Sequence, residues 1–279
     1  MKLDLHCHTY YSDGTQSPTW VAQRAAANAV THLAITDHDH LTSTVDVPTL
    51  PDLQLIPGIE ISSNWGSREI HVVGLFVDQA NEALNALVKA QQALRRSRVE
   101  AMAAKLEALG TLGLMEYLDD LSAVAYTRSH VANFLVEQGL VKNRQQAFKQ
   151  YLAKGGRAYV PAQWCSLDEA VSVIDESGGI SILAHPGRYP LNKRQLAELV
   201  ETFVSAGGAA MEVRYPNIDP NMTRHLEQLA TEHKLFLSGG SDFHDPEARW
   251  TDIGKFPPIR GEAELRSVQN HPRWVSLSS

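Results

Sequence analysis

Cysteine is nearly absent: the 279 residues contain two, Cys7 and Cys165. Two are too few for a disulfide framework. No run of about 18 apolar residues occurs, so the sequence offers no membrane-spanning helix. The first residues lack the basic-then-apolar pattern of a secretory signal, and the expectation is a reduced, cytoplasmic location without membrane or obligate protein partners. An excess of positive charge is missing as well. Lys and Arg number 25 against 32 Asp and Glu, a net charge of −7, which is unlike a protein that coats nucleic acid. Internal repeats and low-complexity tracts are absent too. What remains is ordinary globular composition, 43% hydrophobic and 20% charged, which argues against disorder. A chain of this size buries about three quarters of its unfolded surface, so one large domain, or one domain with an insertion, is expected.

The stretches at 32–36, 53–61, 70–77, 179–184, 209–214 and 235–239 are short apolar runs that read as strands. Leu3, Leu5 and Cys7 alternate with Asp4, His6 and His8 in a seventh. Helix-period stretches at 17–29, 168–177, 193–206 and 220–233 separate many of them. Strand–helix alternation implies an α/β fold with a largely parallel sheet, and seven strands suggest a distorted barrel. The rhythm breaks from Asn81 to about Gly156, where only helices appear. One is long and stops at Gly110; a second covers "RSHVANFLVEQG"; a third starts after Asn143, a plausible N-cap. Residues 89–157 hold 11 of the 25 Lys and Arg but 6 of the 32 Asp and Glu, a local net charge of +5. The expected organisation is therefore a barrel from 1–80 and 158–279, covered on one face by a basic helical insertion, 81–157. Residues 262–279 read as a tail packed on the outside.

Residues two apart on a strand project to one face, so His6 and His8 point together and Cys7 points away. Further candidates sit beside the other strands: Asp13 in a turn after the first, His38 in "TDHD", Glu60 in "PGIE", His71 in "IHVVG", His185 in "AHPG", and Asp242 and His244 in "GSDFH". Each alone has an ordinary explanation as a cap, turn or core histidine. Together they make six histidines and three carboxylates, nearly all at the C-terminal edge of strands, where α/β barrels build their sites. Imidazole and carboxylate ligands without thiolate suit Mn, Fe or Zn. Nine ligands exceed the needs of one ion and fit two or three divalent transition metals.

The motifs "DLHCH", "SDG", "TDHD", "PGIE", "HVVG", "AHPGRY" and "GSDFH" resemble the PHP superfamily, named for polymerase and histidinol phosphatase. Within it, nearly the whole chain is similar to a small bacterial branch of 3′,5′-nucleoside bisphosphate phosphatases that also act as 5′-to-3′ exoribonucleases (ribonuclease AM). The segment "LTSTVDVPTLPDLQ" departs from that branch, where a longer helix is usual; Pro48 and Pro51 cut it short. The resemblance implies a distorted seven-stranded barrel and three ligand sets. His6, His8, Glu60 and Asp242 would hold one ion. Glu60, shared, with His71 and His185 would hold a second, and Asp13, His38 and His244 a third. Manganese is the ion it favours.

A hydroxide bridging two such ions is a strong nucleophile at neutral pH, so the expected reaction is hydrolysis of a phosphate ester by direct attack. Asp13, Glu60, His185 and Asp242 are the residues expected to carry it. Selectivity should come from the basic insertion. Arg95 and Arg98 share a helix face, Arg128 and His130 flank the start of the next helix, Lys149 and Lys154 lie on or after the third, and Arg188 follows "AHPG". Guanidinium groups grip phosphate bidentately, and the resemblance implies that residues at these positions surround the phosphates of a nucleoside bisphosphate or short RNA. Three alternatives are a simple monoester phosphatase of the histidinol phosphate type, a non-catalytic metal- or RNA-binding module, and an amidohydrolase. The last usually needs a bridging lysine, and no lysine lies at a strand end.

Overall fold

The computed structural model describes residues 1–277. Strand β1 (Leu3–Asp4) leads through helix α1 (Pro18–Ala27) to β2 (His32–Ile35), its parallel neighbour. Helix α1 starts on a local signal: the Ser17 hydroxyl accepts from the Trp20 amide and Pro18 occupies the first turn, where its missing N–H is no loss. Strand β3 (Gln54–Trp65) is parallel to β2, then turns back at Gly66 into β4 (Arg68–Leu75). Gly66 sits at φ +59, a left-handed conformation that side chains disfavour.

Helices α2 (Glu82–Glu107), α3 (Leu114–Asp119), α4 (Arg128–Glu137) and α5 (Arg144–Ala147) follow, the last continued by a π-helical turn, Phe148–Leu152. The chain re-enters the sheet with β5 (Cys165–Ser166) and α6 (Leu167–Glu176), then β6 (Ile180–Leu183), α7 (Lys193–Ser205), β7 (Ala210–Arg214), α8 (Pro220–Glu232) and β8 (Phe236–Gly239). Helix α9 (Pro272–Leu277) ends the described chain; the last two positions of the expected barrel segment, 278 and 279, lie outside the described residues. Among those residues no helix is long and apolar enough to cross a membrane.

The strands run β1-β2-β3-β4-β6-β7-β8, with β5 added to the outer end of β3. Between β8 and β1 single bonds replace a ladder: the His8 amide donates to the Phe243 carbonyl at 2.9 Å and the Asp242 amide to His6 at 2.8 Å. The result is a nearly closed, seven-stranded barrel, as the strand count implied. Its sheet is less parallel than expected, because β4 is antiparallel to both β3 and β6. The tight turn at Gly66 forces this, since parallel neighbours need a long crossover. The reversal matters for the site. It lifts the first half of β4 to the level of the other strands' C-terminal ends, and sets His71 opposite Ser62, two residues from Glu60.

Helices α6, α7 and α8 cover the outside with apolar stripes, such as Leu196, Leu199, Val200 and Phe203 of α7, against Ile61, Val72, Met211 and Val213 of the sheet. A separate apolar cluster joins α3, α4 and α5 to the second half of α2 through Met102, Leu106, Leu118, Phe134 and Leu135. The first half of α2 instead buries Leu84, Leu87 and Val88 in the barrel-side core. One helix of 26 residues therefore belongs to both cores. The short α3 went unread in the sequence; its two buried residues, Leu114 and Leu118, are too few to show a period. The carboxyl-terminal tail also differs from expectation. Val268 and Trp274 are buried with Leu5, Ile56 and Leu75, and Trp274 meets Phe76 edge-on. The tail plugs the far end of the barrel, where conserving apolar contact stabilises without touching the site.

Candidate metal centre

At the rim formed by the C-terminal strand ends, the nine ligand-type residues converge. The regular pairing of β1 stops at Asp4, but alternation continues: Leu5 and Cys7 enter apolar clusters, while the His6 and His8 rings stand 5.2 Å apart on the other side. His6 Nε2 lies 3.3 Å from Glu60 Oε1 and 3.4 Å from Asp242 Oδ1; His8 Nε2 lies 3.3 Å from Glu60 Oε2 and 3.2 Å from Asp242 Oδ1. His71 Nδ1 and His185 Nε2 are each 3.1 Å from Glu60 Oε1, and His38 Nδ1 is 2.9 Å from Glu60 Oε2. Asp13 Oδ1 lies 3.2 Å from His244 and 3.7 Å from His38. Glu60 is the hub, facing five imidazoles. Three groups have ligand atoms close enough to share an ion: His6, His8 and Glu60; His38, Glu60 and His71; and His8, Asp13, His38 and His244. Thus His8 and His38 each border two groups, where the resemblance gave each to one.

The surrounding bonds set the rings for metal. His6 Nδ1 is 2.9 Å from Glu212 Oε1; a carboxylate only accepts, so Nδ1 donates and the Nε2 lone pair faces inward. His244 does the same through the Asp242 carbonyl at 2.9 Å. His8 Nδ1 is 3.3 Å from the Ser12 hydroxyl, which donates its own hydrogen to Asp37. Orienting the distal ring nitrogen in this way is a general feature of metal-binding histidines. Several buried atoms also lack a hydrogen bond despite close neighbours: Asp13 Oδ1, Glu60 Oε2 and His38 Nδ1. Buried polar atoms are rarely left so; one cation between Glu60 and His38 and another beside Asp13, in separate ligand groups, would satisfy them. The donor set fits divalent transition metal.

Electrostatics agree. Burial opposes charge on His6, but Glu60, Glu212 and Asp242 outweigh it and hold the ring well above the usual imidazole range. Burial likewise opposes charge on His244, which Asp13 and Asp242 nevertheless raise to about 9. His8 drops to about 4 through burial and the neighbouring His244. Burial would raise the carboxylates, yet the imidazoles hold Asp13, Glu60 and Asp242 well below the usual range. In the absence of metal, His6, His38 and His244, the rings shifted upward, favour the protonated form that balances the carboxylates. The backbone is also strained here: Asp39, His185 and Asp242 have φ of 45°, 31° and 47°. Such outliers persist where surrounding structure holds them. Gly240 permits part of this, since a Cβ there would lie 2.4 Å from the Cβ of His6.

The PHP domain family profile matches residues 4–160, more than half of the chain. The chain belongs to the PHP family. It is similar to a 5′-3′ exoribonuclease Rnm from Salmonella typhimurium, 42% identical over 261 residues, which span 90% of this chain and 88% of that protein. A 3′,5′-nucleoside bisphosphate phosphatase from Chromobacterium violaceum is 38% identical over 267 residues, 92% and 93% of the two chains. A solved structure described as an amidohydrolase from Chromobacterium violaceum, with bound sulfate and no metal, superposes at a TM-score of 0.84 and 34% identity, covering 95% of this chain and 97% of that one.

In this PHP site the helical segment closes one side. A cleft of about 90 Å³ lies between Asp13, His38 and His71 on the barrel and Arg95, Arg98 and Arg128 opposite. The arginines are differently engaged. Arg95 is buried and committed throughout: Nε donates to Asp39 at 2.7 Å, Nη1 to the Tyr126 carbonyl at 3.0 Å and Nη2 to the Ser62 hydroxyl at 2.6 Å. Arg98 donates from Nε to the Val160 carbonyl at 3.2 Å and from Nη1 to Glu69 at 3.4 Å. Arg128 donates from Nη2 to Glu69 at 3.0 Å, and its side chain is 33% exposed. Burial would raise Glu69, but Arg128 and Arg98 hold it at about 2. His130 Nδ1 accepts from the Thr127 amide and caps α4, while Thr127 donates to Asp13. Lys149 and Lys154 are exposed and outside this lining. Arg188 donates to Asp242 and lies over the Tyr215 ring.

Sequence reasoning missed the supporting shell. Glu212 fixes His6 and also accepts from the His185 amide at 2.7 Å. Asp37 gathers Thr9, Ser12 and Thr42, and Asp39 anchors Arg95. Trp164 donates to Glu69 at 2.8 Å and stacks beneath Arg95 and Arg98. A signal existed for Glu212, a lone acid inside the apolar run "AAMEVR"; for Trp164 there was none.

Proposed function

We propose that this chain is a metal-dependent phosphoesterase that hydrolyses 3′,5′-nucleoside bisphosphates and removes nucleotides from the 5′ end of short RNA. The observation that carries it is the pairing of the nine-ligand cluster with the adjoining arginine cleft. At about 90 Å³ the cleft is well below the roughly 300 Å³ of a drug-sized pocket and suits a phosphate alone. A 5′ phosphate held there leaves the 3′ phosphoryl group of the same nucleotide at the cluster. That arrangement serves both substrates, because the same P–O3′ bond breaks in each. The water oxygen joins phosphorus, and the 3′ oxygen leaves and takes up a proton.

Divalent ions, for which Mn²⁺ is our choice, supply the acidity that activates water and the charge that neutralises phosphoryl oxygens. His6, His8, Glu60 and Asp242 would hold one, Glu60, His71 and His185 a second, and Asp13, His38 and His244 a third. Arg98 and Arg128 retain guanidinium nitrogens for the 5′ phosphate. Arg95, with all three nitrogens engaged by Asp39, Ser62 and Tyr126, positions α2 and so acts through its neighbours. Arg188 orients Asp242 and has donors left for a phosphoryl oxygen. An amidohydrolase reading asks for a lysine bridge; among the described residues a position shared between two ligand groups belongs to the carboxylate of Glu60. The two cysteines, both free thiols, suit the reduced cytoplasm.

The test is turnover of adenosine 3′,5′-bisphosphate and of a 5′-phosphorylated pentanucleotide, with Mn²⁺ and with chelator. Release of phosphate from the first and of mononucleotide from the second, both lost with chelator, is expected. No product from either with Mn²⁺ overturns the reading.

A further inference from the structure

We infer that the barrel rim opposite the arginine cleft is a single-stranded RNA track, which takes the nucleotides downstream of the scissile phosphate and has Trp250 as its base-stacking platform. The inference rests on the function proposed above and assigns a surface which that reading leaves idle.

An open cleft of about 640 Å³ lies between the loops that follow β6, β7 and β8, with Arg188, Tyr215, Asn217, Ile218, Met222 and Trp250 in its lining. The arginine cleft draws instead on β4, the loops after β1 and β2, and the helical segment. The strand order sets these two arcs on opposite sides of the ligand cluster. Arg188 joins the second cleft to the cluster through its bond to Asp242. Gly187 packs tightly on the floor, where its amide donates to the Tyr215 hydroxyl at 2.9 Å and a Cβ would lie 2.4 Å from that oxygen.

Trp250 is 56% exposed, and it is the one aromatic among the exposed large apolar side chains described. It also lines a third cleft, of about 250 Å³, beyond the second. Arg24, Arg249 and Lys255 border that cleft. Arg24 and Lys255 are tied to Asp252, while Arg249 has no ion-pair partner among the described residues. The order along the rim is therefore cluster, Arg188, Trp250, Arg249. A cation, an open aromatic face and a second cation is the pattern that single-stranded nucleic acid uses, with phosphates on the arginines and a base on the indole. Asp219, the one carboxylate among the described residues of the second cleft, already accepts from two amides as the cap of α8.

The chemistry fixes which part of the substrate lies here. A bisphosphate ends at its reacting phosphate. In RNA that phosphate carries a second ester to the next nucleotide, and with the 5′ phosphate on the arginine side, the chain must leave across Arg188. Trp250 is thus a determinant for RNA over mononucleotide.

The experiment compares wild-type protein with Trp250→Ala, Trp250→Phe and Arg249→Ala. Substrates are adenosine 3′,5′-bisphosphate and a 5′-phosphorylated pentanucleotide, with Mn²⁺. In parallel, fluorescence anisotropy reads binding of the labelled pentanucleotide in chelator. Trp250→Ala should lower kcat/KM and affinity for the pentanucleotide roughly tenfold or more, within the usual effect of removing a stacked base. Trp250→Phe should restore most of it, and Arg249→Ala should flatten the salt dependence of binding. Bisphosphate turnover should change less than twofold in all three. Equal losses on both substrates, or undiminished RNA binding by Trp250→Ala, overturn the inference while the phosphoesterase reading stands. Trp250-dependent binding without turnover of either substrate by wild-type protein would sink the function and keep the track.

Discussion

Replacing Glu60 by Gln should empty two metal positions at once. The carboxylate is fully buried and has five imidazoles within 2.9–3.3 Å. Glutamine preserves its shape, so the barrel should fold. It removes one negative charge and turns one oxygen into a donor that meets nitrogen lone pairs. A unit charge about 4 Å from another is worth about 4 kcal/mol at an effective dielectric of 20, hence about 8 kcal/mol against a divalent ion. If the amide oxygen and local rearrangement recover half, about 4 kcal/mol is lost per ion, roughly a thousandfold in affinity. Elemental analysis after dialysis against micromolar Mn²⁺ should fall from two or three ions per chain to at most one. Circular dichroism should be unchanged. Unaltered metal content, or the loss of a single ion with full activity, would refute Glu60 as the shared ligand.

Asp13→Asn and His244→Ala, in the group farthest from Glu60, should spare the ions around Glu60 yet lower turnover at least tenfold; wild-type rates in both would remove that group from the mechanism. Arg128→Ala should cut kcat/KM for the bisphosphate roughly ten- to a hundredfold, the effect of losing a charge-assisted bond of about 1.5–3 kcal/mol, and change a plain monophosphate much less. Arg95→Ala should act on stability, leaving Asp39 buried and unpaired at a cost of about 3–5 kcal/mol; a denaturant midpoint equal to wild type would show that the pair is idle. The pH dependence follows from His244, raised from its usual 6.5 to about 9 because Asp13 and Asp242 outweigh burial. Its folded pKa exceeds the unfolded one, so its contribution is complete below pH 6.5 and is lost as pH rises through 9. Metal-free protein should therefore lose thermal stability across that window. Metal takes only the neutral ring, so apparent Mn²⁺ affinity should rise with pH over the same range; flat melting temperatures in chelator with pH-independent affinity would contradict this.

Much of the candidate site was legible because its ligand-type residues are marked locally. His38, His185, Asp242 and His244 each follow an apolar run, and the period of β1 set His6 and His8 on one side even where its regular pairing stops. Helix starts were readable for the same reason: Asn143 does cap α5 through the Gln146 amide. The surroundings of the proposed phosphate-binding arginines were harder to read. Arg95 and Arg98 share a helix face, as their spacing required, but Arg95 is bound to Asp39, a residue 56 positions away. A helical period tells which way a side chain points and nothing about what meets it.

The sequence alone determined the alternation of strands and helices, the ligand-type residues at their ends and the basic character of the inserted helices, because each depends on neighbours within a few residues. Tertiary structure decided the rest. Strand direction is invisible to a two-residue period, which looks the same parallel or antiparallel, so the fold-back at Gly66 that carries His71 to Glu60 appears only in three dimensions. The same holds for Glu212, 206 residues from the His6 ring it orients, and for Trp274, which closes the barrel's far end. A buried carboxylate acquires its charge state and its role from the groups that converge on it, and convergence across the chain is a property of the closed barrel.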